Sequence, residues 1–259
     1  GPDLGPAGTL AVQASKAGTE LHTYVLPTSF GWFDPEGKAI SSSHISFGAA
    51  VSDEGYIAYD RMSTVLSLKN PQGKEIAKLA QPGYPFFGGD RLFVVHPGQT
   101  SVSEFSGQGK LLWTRDFSSA ITAFDASPGL ALFGLLDGSL TGLDPTGQVL
   151  LSFSPGGSRI AGVYGCAVSP DGLLAAAICG LDRQRLVVLE KRSSAYRVTW
   201  HRYLESDFRR PVGIAFTADN RYLVYEKPSG LGIYSRDGRD EASIRSLPLT
   251  GLGLASSKR

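Results

Sequence analysis

The side chains able to do chemistry are scattered along this chain in ways that build no familiar reactive centre. Four histidines, His22, His44, His96 and His201, stand far from one another. A zinc site draws its ligands at local spacings such as i, i+4. No two of these histidines have that spacing, so each reads as a packing or surface residue. A serine nucleophile needs a Gly-x-Ser-x-Gly elbow between strand and helix. The segment "SPGGSRIAG" has the glycines without the spacing, and no helical pattern follows it. "PGG", "FGG" and "SGQG" each precede strand-like sequence, whereas a phosphate cradle opens a helix. Carboxylates gather only in "SDEG" (52–55) and "RDGRDE" (236–241), while Asp116 and Asp125 lie nine residues apart across a strand. None has the Asp-x-Asp-x-Asp-Gly calcium pattern. No catalytic residue, metal site or cofactor is expected from these spacings.

The two cysteines, Cys166 and Cys179, flank a Pro170-Asp171-Gly172 turn. A hairpin centred near Asp171 sets Cys166 opposite Ala176, with Cys179 three residues further on. An odd offset places the two thiols on opposite sheet faces. They are therefore expected to be free, buried and structural.

The elements that must carry these residues follow from composition and repeat. The chain has 259 residues, 25 Lys plus Arg against 24 Asp plus Glu, and 42% hydrophobic residues. A net charge of +1 offers no electrostatic grip on nucleic acid or an anionic membrane. No apolar run reaches the roughly 18–20 residues of a membrane span. Gly1-Pro2 reads as the scar of tag removal, which starts the natural segment near Asp3. That start favours a periplasmic or envelope-associated protein whose leader or anchor lay upstream, with a disordered arm or another domain there as the alternative.

Five phrases share one turn: "WFDPEGKAISS", "SLKNPQGKEIAKL", "EFSGQGKLLWTRD", "GLDPTGQVLLSF" and "YSRDGRDEASIRSL". Their glycines are Gly37, Gly73, Gly109, Gly147 and Gly238, at intervals of 36, 36, 38 and 91 residues. Midway through the last interval, "LVVLEKRSSAYRVTWHRY" turns at Ser193-Ser194 and makes a sixth hairpin. Upstream of these hairpins lie others such as "AAVSDEGYIAY", "FFGGDRLFVV", "CAVSPDGLLAAAI" and "AFTADNRYLVY". Each period of about forty residues thus holds four short strands, A to D, rich in β-branched and aromatic residues. No stretch shows helical periodicity. Four antiparallel strands per forty-residue unit is the blade of a β-propeller.

"AVSPDGLLAAAI" and "AFTADNRYLVY" resemble the A–B hairpins of WD-repeat-like and Tol-type propellers. "SGQGKLLWTRD" resembles the Gly-Lys-x-Leu-Trp phrase of pyrroloquinoline-quinone-type repeats, whose tryptophans dock one blade on the next. These likenesses imply an all-β fold and carry no chemistry. Only Trp113 is read in the docking place, with Ser41, Ala77, Leu151 and Ile244 at the other positions. Six blades are expected, over 9–45, 46–80, 84–117, 121–155, 161–204 and 211–247, within one domain spanning 3–259. A seventh, completed by "LTGLGLASSKR" and the N-terminal strands, is the alternative.

The A–B and C–D turns are short and stereotyped. The D–A and B–C loops vary, and variable loops on a rigid scaffold are where binding concentrates. They nominate Tyr84, Phe86, His96, Asp182, Arg183, Arg185, Asp207, Phe208, Arg209 and Arg210 as a binding patch. Repeat five is the longest, and its last strand, through Arg197, Trp200, Arg202 and Tyr203, is a second candidate surface at an open sheet edge. The function expected is a non-catalytic scaffold, monomeric on its own, that binds another protein, in a cell-envelope complex. The alternative is a small-molecule or metal-dependent enzyme working in the central channel, where a calcium ion is one candidate occupant.

Overall fold

The computed structural model describes residues 21–245, which form six antiparallel sheets in chain order. The first holds β1 (His22–Val25), β2 (Ser29–Phe33) and β3 (Ala39–His44). The second holds β4 (Gly48–Val51), β5 (Tyr56–Tyr59), β6 (Leu66–Lys69) and β7 (Glu75–Leu79). The third holds β8 (Tyr84–Gly88), β9 (Arg91–Val95), β10 (Ser101–Phe105) and β11 (Leu111–Asp116). The fourth comprises β12 (Ile121–Ser127), β13 (Leu130–Leu135), β14 (Leu140–Leu143) and β15 (Val149–Phe153). The fifth comprises β16 (Val163–Val168), β17 (Leu174–Cys179), β18 (Arg185–Arg192) and β19 (Ala195–Tyr203). The sixth comprises β20 (Ile214–Phe216), β21 (Tyr222–Lys227), β22 (Gly230–Ser235) and β23 (Glu241–Arg245). This is a six-bladed propeller. The strand expected at the start of repeat one, and the tail strand offered for a seventh blade, lie outside the described residues.

The core lies between the blades rather than within them. Five apolar clusters each join two successive sheets: Phe30 and Trp32 meet Tyr56, Leu68 meets Leu92, and Phe93 meets Phe133. Leu132 then meets Cys166, and Val188 meets Phe216. Second strands are consequently covered on both faces. β13 (LALFGL) and β17 (LAAAIC) are buried at every position, which explains their unbroken apolar sequence. Each fully buried Leu or Phe contributes about 1.5–3 kcal/mol relative to an exposed one.

The six expected turn centres all adopt left-handed backbone. Gly37, Gly73, Gly109, Gly147 and Gly238 have φ of 69–82°, and Ser193, which replaces glycine in repeat five, has φ 58°. The first residue of the glycine turns is always Asp, Asn or Ser, for a local reason. Asp144, for example, takes the Gly147 N–H on its carbonyl at 3.0 Å and the Thr146 and Gln148 N–H groups on its carboxylate.

Register decides what these turns touch. In five blades the last strand carries a bulge, just past the turn in blades one to four and deeper in the longer β19, and the residue after it is Ser41, Ala77, Trp113, Leu151 or Trp200. Trp200 thus docks as Trp113 does, correcting the reading that Trp113 alone has this role. Trp113 Nε1 donates to the Pro145 carbonyl (3.2 Å) and Trp200 Nε1 to the Arg236 carbonyl (3.0 Å), each two residues before the next blade's turn glycine. A Cβ on Gly238 would lie 2.6 Å from the Trp200 ring, so this glycine is required for close approach as well as for its φ.

The cysteine register also differs from the sequence reading. Cys166 pairs with Ala177, not Ala176, so Cys179 lies two residues beyond its partner and both thiols enter one core cluster. Both are free and buried, as expected.

Candidate functional site

The long connections flank blade five. Loop 154–162 leads into it, loop 204–213 leaves it, and loop 180–184 joins its second and third strands. Backbone hydrogen bonds tie the three together: Gly180 N–H to Gly162 O (3.0 Å), Leu204 N–H to Gln184 O (2.8 Å) and Val212 N–H to Tyr164 O (2.8 Å). Gln184 is fully buried and uses both ends of its amide on one residue. Its Nε2 donates to the Phe208 carbonyl (2.7 Å), and its Oε1 accepts the Phe208 N–H (3.2 Å). A single side chain thereby holds the outgoing loop in place. Nothing in the local sequence marked Gln184, because its partner lies 24 residues away.

Most of the nominated patch is brought together here, with unequal roles. Arg183 stacks 4.1 Å above the Tyr203 ring. Arg185 turns inward and donates to the Pro155 and Gly156 carbonyls. Asp182 accepts from the Ser158 hydroxyl and the Arg159 N–H, and the Ser158 bond holds its carboxyl below the usual range. Arg210 forms a bidentate pair with Glu226 (3.0 and 2.5 Å) while lying 4.5 Å from the Phe208 ring. Glu226 is buried, and the Arg210 bonds hold its carboxyl below the usual range. The Arg210 partner is thus on the next blade and not among the acidic residues of its own loop, Glu205 and Asp207. Arg209 and Asp207 are exposed, and Arg209 makes no hydrogen bond or ion pair among the described residues.

Three nominated residues sit elsewhere, on blade three. Tyr84 opens β8, and His96 Nε2 meets the Ser103 hydroxyl at 2.8 Å. Phe86 is no loop residue: its ring packs against Phe93 and Phe124 between blades three and four. Trp200 is likewise withdrawn from the edge surface, being only 9% exposed beneath the next blade's turn. Its neighbours on the strand, including Val198 and Tyr203, remain exposed.

The remaining surface is a cationic and aromatic patch made of Ile160, Arg183, Tyr203 and Arg209, with Arg159 beside it paired to Asp182 (3.7 Å). Beside it a cleft of about 580 Å³ opens between blades five and six, lined in part by Tyr203, Glu205, Ser206, Lys227 and Tyr234. A larger hollow of about 750 Å³ lies at the opposite, turn-bearing end. Three of its four arginines are neutralised locally: Arg192 by Glu190 (3.1 Å), Arg236 by Asp171 (3.2 Å) and Arg239 by Asp237 (3.2 Å). Among the described residues no three His, Cys, Asp or Glu gather as a metal-binding group. No helix among them is long and apolar enough to cross a membrane.

Sheets, inter-blade cores and docked turns define a β-propeller. The sequence matches the beta-propeller protein family over residues 6–251, and the chain belongs to that family. It is 31% identical over 246 residues to an uncharacterized protein of Treponema pallidum (strain Nichols), covering 95% of this chain and 64% of that protein. The chain therefore spans less than two thirds of that relative's length. Its fold is similar to that of Hsv2p from Kluyveromyces lactis, with a TM-score of 0.66 at 11% identity, covering 90% of this chain and 82% of the other. It is also similar to KlAtg21 in its complex with the coiled coil of AgAtg16, with a TM-score of 0.60 at 15% identity, covering 80% and 75%. These structural likenesses establish the propeller. The finer likeness to WD-repeat-like, Tol-type and quinone-type repeats rests on the phrases quoted for it.

Proposed function

We propose that this chain is a non-catalytic propeller scaffold that docks a partner protein on the loop end around blade five. The observation that carries the reading is the division of labour between adjacent arginines. Arg210 is spent on Glu226 and Arg185 on backbone carbonyls, which leaves Arg209 and the stacked Arg183 displayed on a loop held by Gln184. A preorganised guanidinium loses little freedom when it takes a carboxylate, and an exposed ring beside it adds apolar area. Such a surface suits an acidic segment of a partner, with the adjoining cleft open to one anchoring side chain. That a fold neighbour, KlAtg21, forms a complex with a coiled coil is consistent with protein docking on this architecture.

A photo-crosslinking residue placed at Arg209 or Tyr203 of the full-length protein in its native cell tests the proposal. Capture of one discrete protein from these positions, and none from Arg239 at the opposite end, is the expected result. Capture from Val198 alone would transfer the site to the outer strand. The cell-envelope setting forms a separate part of the proposal, and fractionation of cells making the full-length protein decides it.

A further inference from the structure

A third cavity, of about 390 Å³, opens where the innermost strands of four successive blades end. Gly89 comes from blade three, Asp125 to Pro128 from blade four, Val168 and Pro170 from blade five, and Ala215 to Ala218 from blade six. Its volume falls within the range of small-molecule sites, and its composition follows theirs: apolar walls with few polar groups. Ala126, Pro128, Val168, Pro170, Ala215 and Phe216 supply the walls. Among the lining residues only Asp125 can ionise. Ser127 also lines the cavity, is 4% exposed, and its buried hydroxyl finds no partner among the described residues.

Asp125 is held in place by two backbone donors, the Ala126 N–H at 2.9 Å and the Val168 N–H at 2.7 Å. Each carboxylate oxygen keeps a further lone pair. Among the described residues no cation pairs with it. Arg91, which donates to the Ser127 carbonyl (3.2 Å), is bound bidentately to Glu104 (2.7 and 2.7 Å). From β16 the group that faces Asp125 is the Cys166 thiol, which burial pushes up and the Asp125 charge raises further. The turn after β16 contributes Asp171, which is paired with Arg236.

We infer that this cavity binds a small organic ammonium ion, with Asp125 accepting from the ammonium and the alanine, proline and Phe216 walls covering its apolar body. The lining does not suit calcium, which takes 6–8 oxygens where the cavity's side chains offer one carboxylate and one hydroxyl. An anion meets only Asp125 and is repelled. A neutral solute leaves the carboxylate without a counter-charge in an apolar enclosure. The site is independent of the protein-docking surface on blade five, and it involves no reaction.

Burial pushes the Asp125 carboxyl up to about 6, against the pull of its two N–H bonds. A bound cation opposes that shift, so binding requires the ionised form and weakens once the pH falls below this value.

Calorimetric titration of the protein with benzylammonium chloride, and with benzyl alcohol as a neutral probe of similar shape, tests the assignment. Benzylammonium is expected to bind at pH 8, about tenfold more weakly at pH 5, and at least about tenfold more tightly than the alcohol. Asp125→Asn should abolish the difference between the two probes. Because Asn cannot accept both N–H bonds as carboxylate does, Ala215→Leu provides a second test that fills the cavity and spares Asp125. Equal binding of the two probes, undiminished binding to the Ala215→Leu protein, or no benzylammonium binding at pH 8 would each overturn the assignment.

Discussion

The two ends of this propeller are built by different rules. At the turn end one device recurs: an Asp, Asn or Ser opens a glycine hairpin and a left-handed residue closes it, and in blades three, four and six a strand from the preceding blade packs on top. At the loop end around blade five the contacts that hold the structure occur once each. Gln184 clasps Phe208, Arg210 grips Glu226, and Arg183 lies on Tyr203. Repetition belongs to the scaffold, because each blade must meet the next in the same way. Singular contacts belong to a surface free of that constraint, and they leave exposed groups such as Arg209 that no structural role explains.

The sharpest test of this contrast is at the docking position. Trp200→Ala should cost about 3–5 kcal/mol, as for other buried large aromatics. Trp113→Ala, at the equivalent place but only half-buried, should cost less. Urea midpoints that fell for only one of the two, or for neither, would break the equivalence inferred from strand register.

Next comes the pH dependence set by Asp125. Its carboxyl is raised in the native state to about 6, so between the ordinary aspartate value and 6 the folded protein binds more protons than the unfolded chain. This contribution is present in full below about pH 4 and is lost as the pH rises through about 6, a change of about 3 kcal/mol. Denaturation series across that window should show the decline, and Asp125→Asn should flatten it.

The adjacent arginines at the loop end should then part company. Arg210→Ala strands the buried Glu226 and should cost about 1–3 kcal/mol, whereas Arg209→Ala should leave stability within about 0.5 kcal/mol. If thermal melts moved alike for both, Arg209 would be structural and its place in the docking patch lost. The smallest effect concerns the odd turn. Ser193→Gly restores the residue used by the other five turn centres and should stabilise by under about 1 kcal/mol, since a left-handed Ser costs about 1–2 kcal/mol and the added chain entropy offsets part of that. A loss of stability on that change would mean that the Ser193 side chain is itself needed.

The blades were legible in the sequence because turn chemistry is local. A left-handed residue and a side-chain acceptor three residues before it lie within one five-residue window. The pattern even located the sixth hairpin at Ser193, where no glycine marks it. The edges of that reading were set by register, which depends on single-residue details. One position in the blade-five hairpin moved Cys179 onto the same face as Cys166, and the bulge in β19 turned Trp200 from an edge residue into a docking one.

From sequence alone came the all-β class, the forty-residue period, the six hairpins, two unbridged thiols and the prominence of the blade-five loops. The tertiary structure alone decided which arginine is free. Arg210 and Arg209 are neighbours of the same type, and what separates them is Glu226, sixteen residues further on and two strands into the next blade. The same holds for Gln184 and Phe208, for Trp200 and Gly238, and for the cavity of Asp125, whose walls come from four blades. A hairpin is specified by the few residues that form it. A contact between blades depends on two such units arriving at one place, and that is settled only when the ring of sheets has packed.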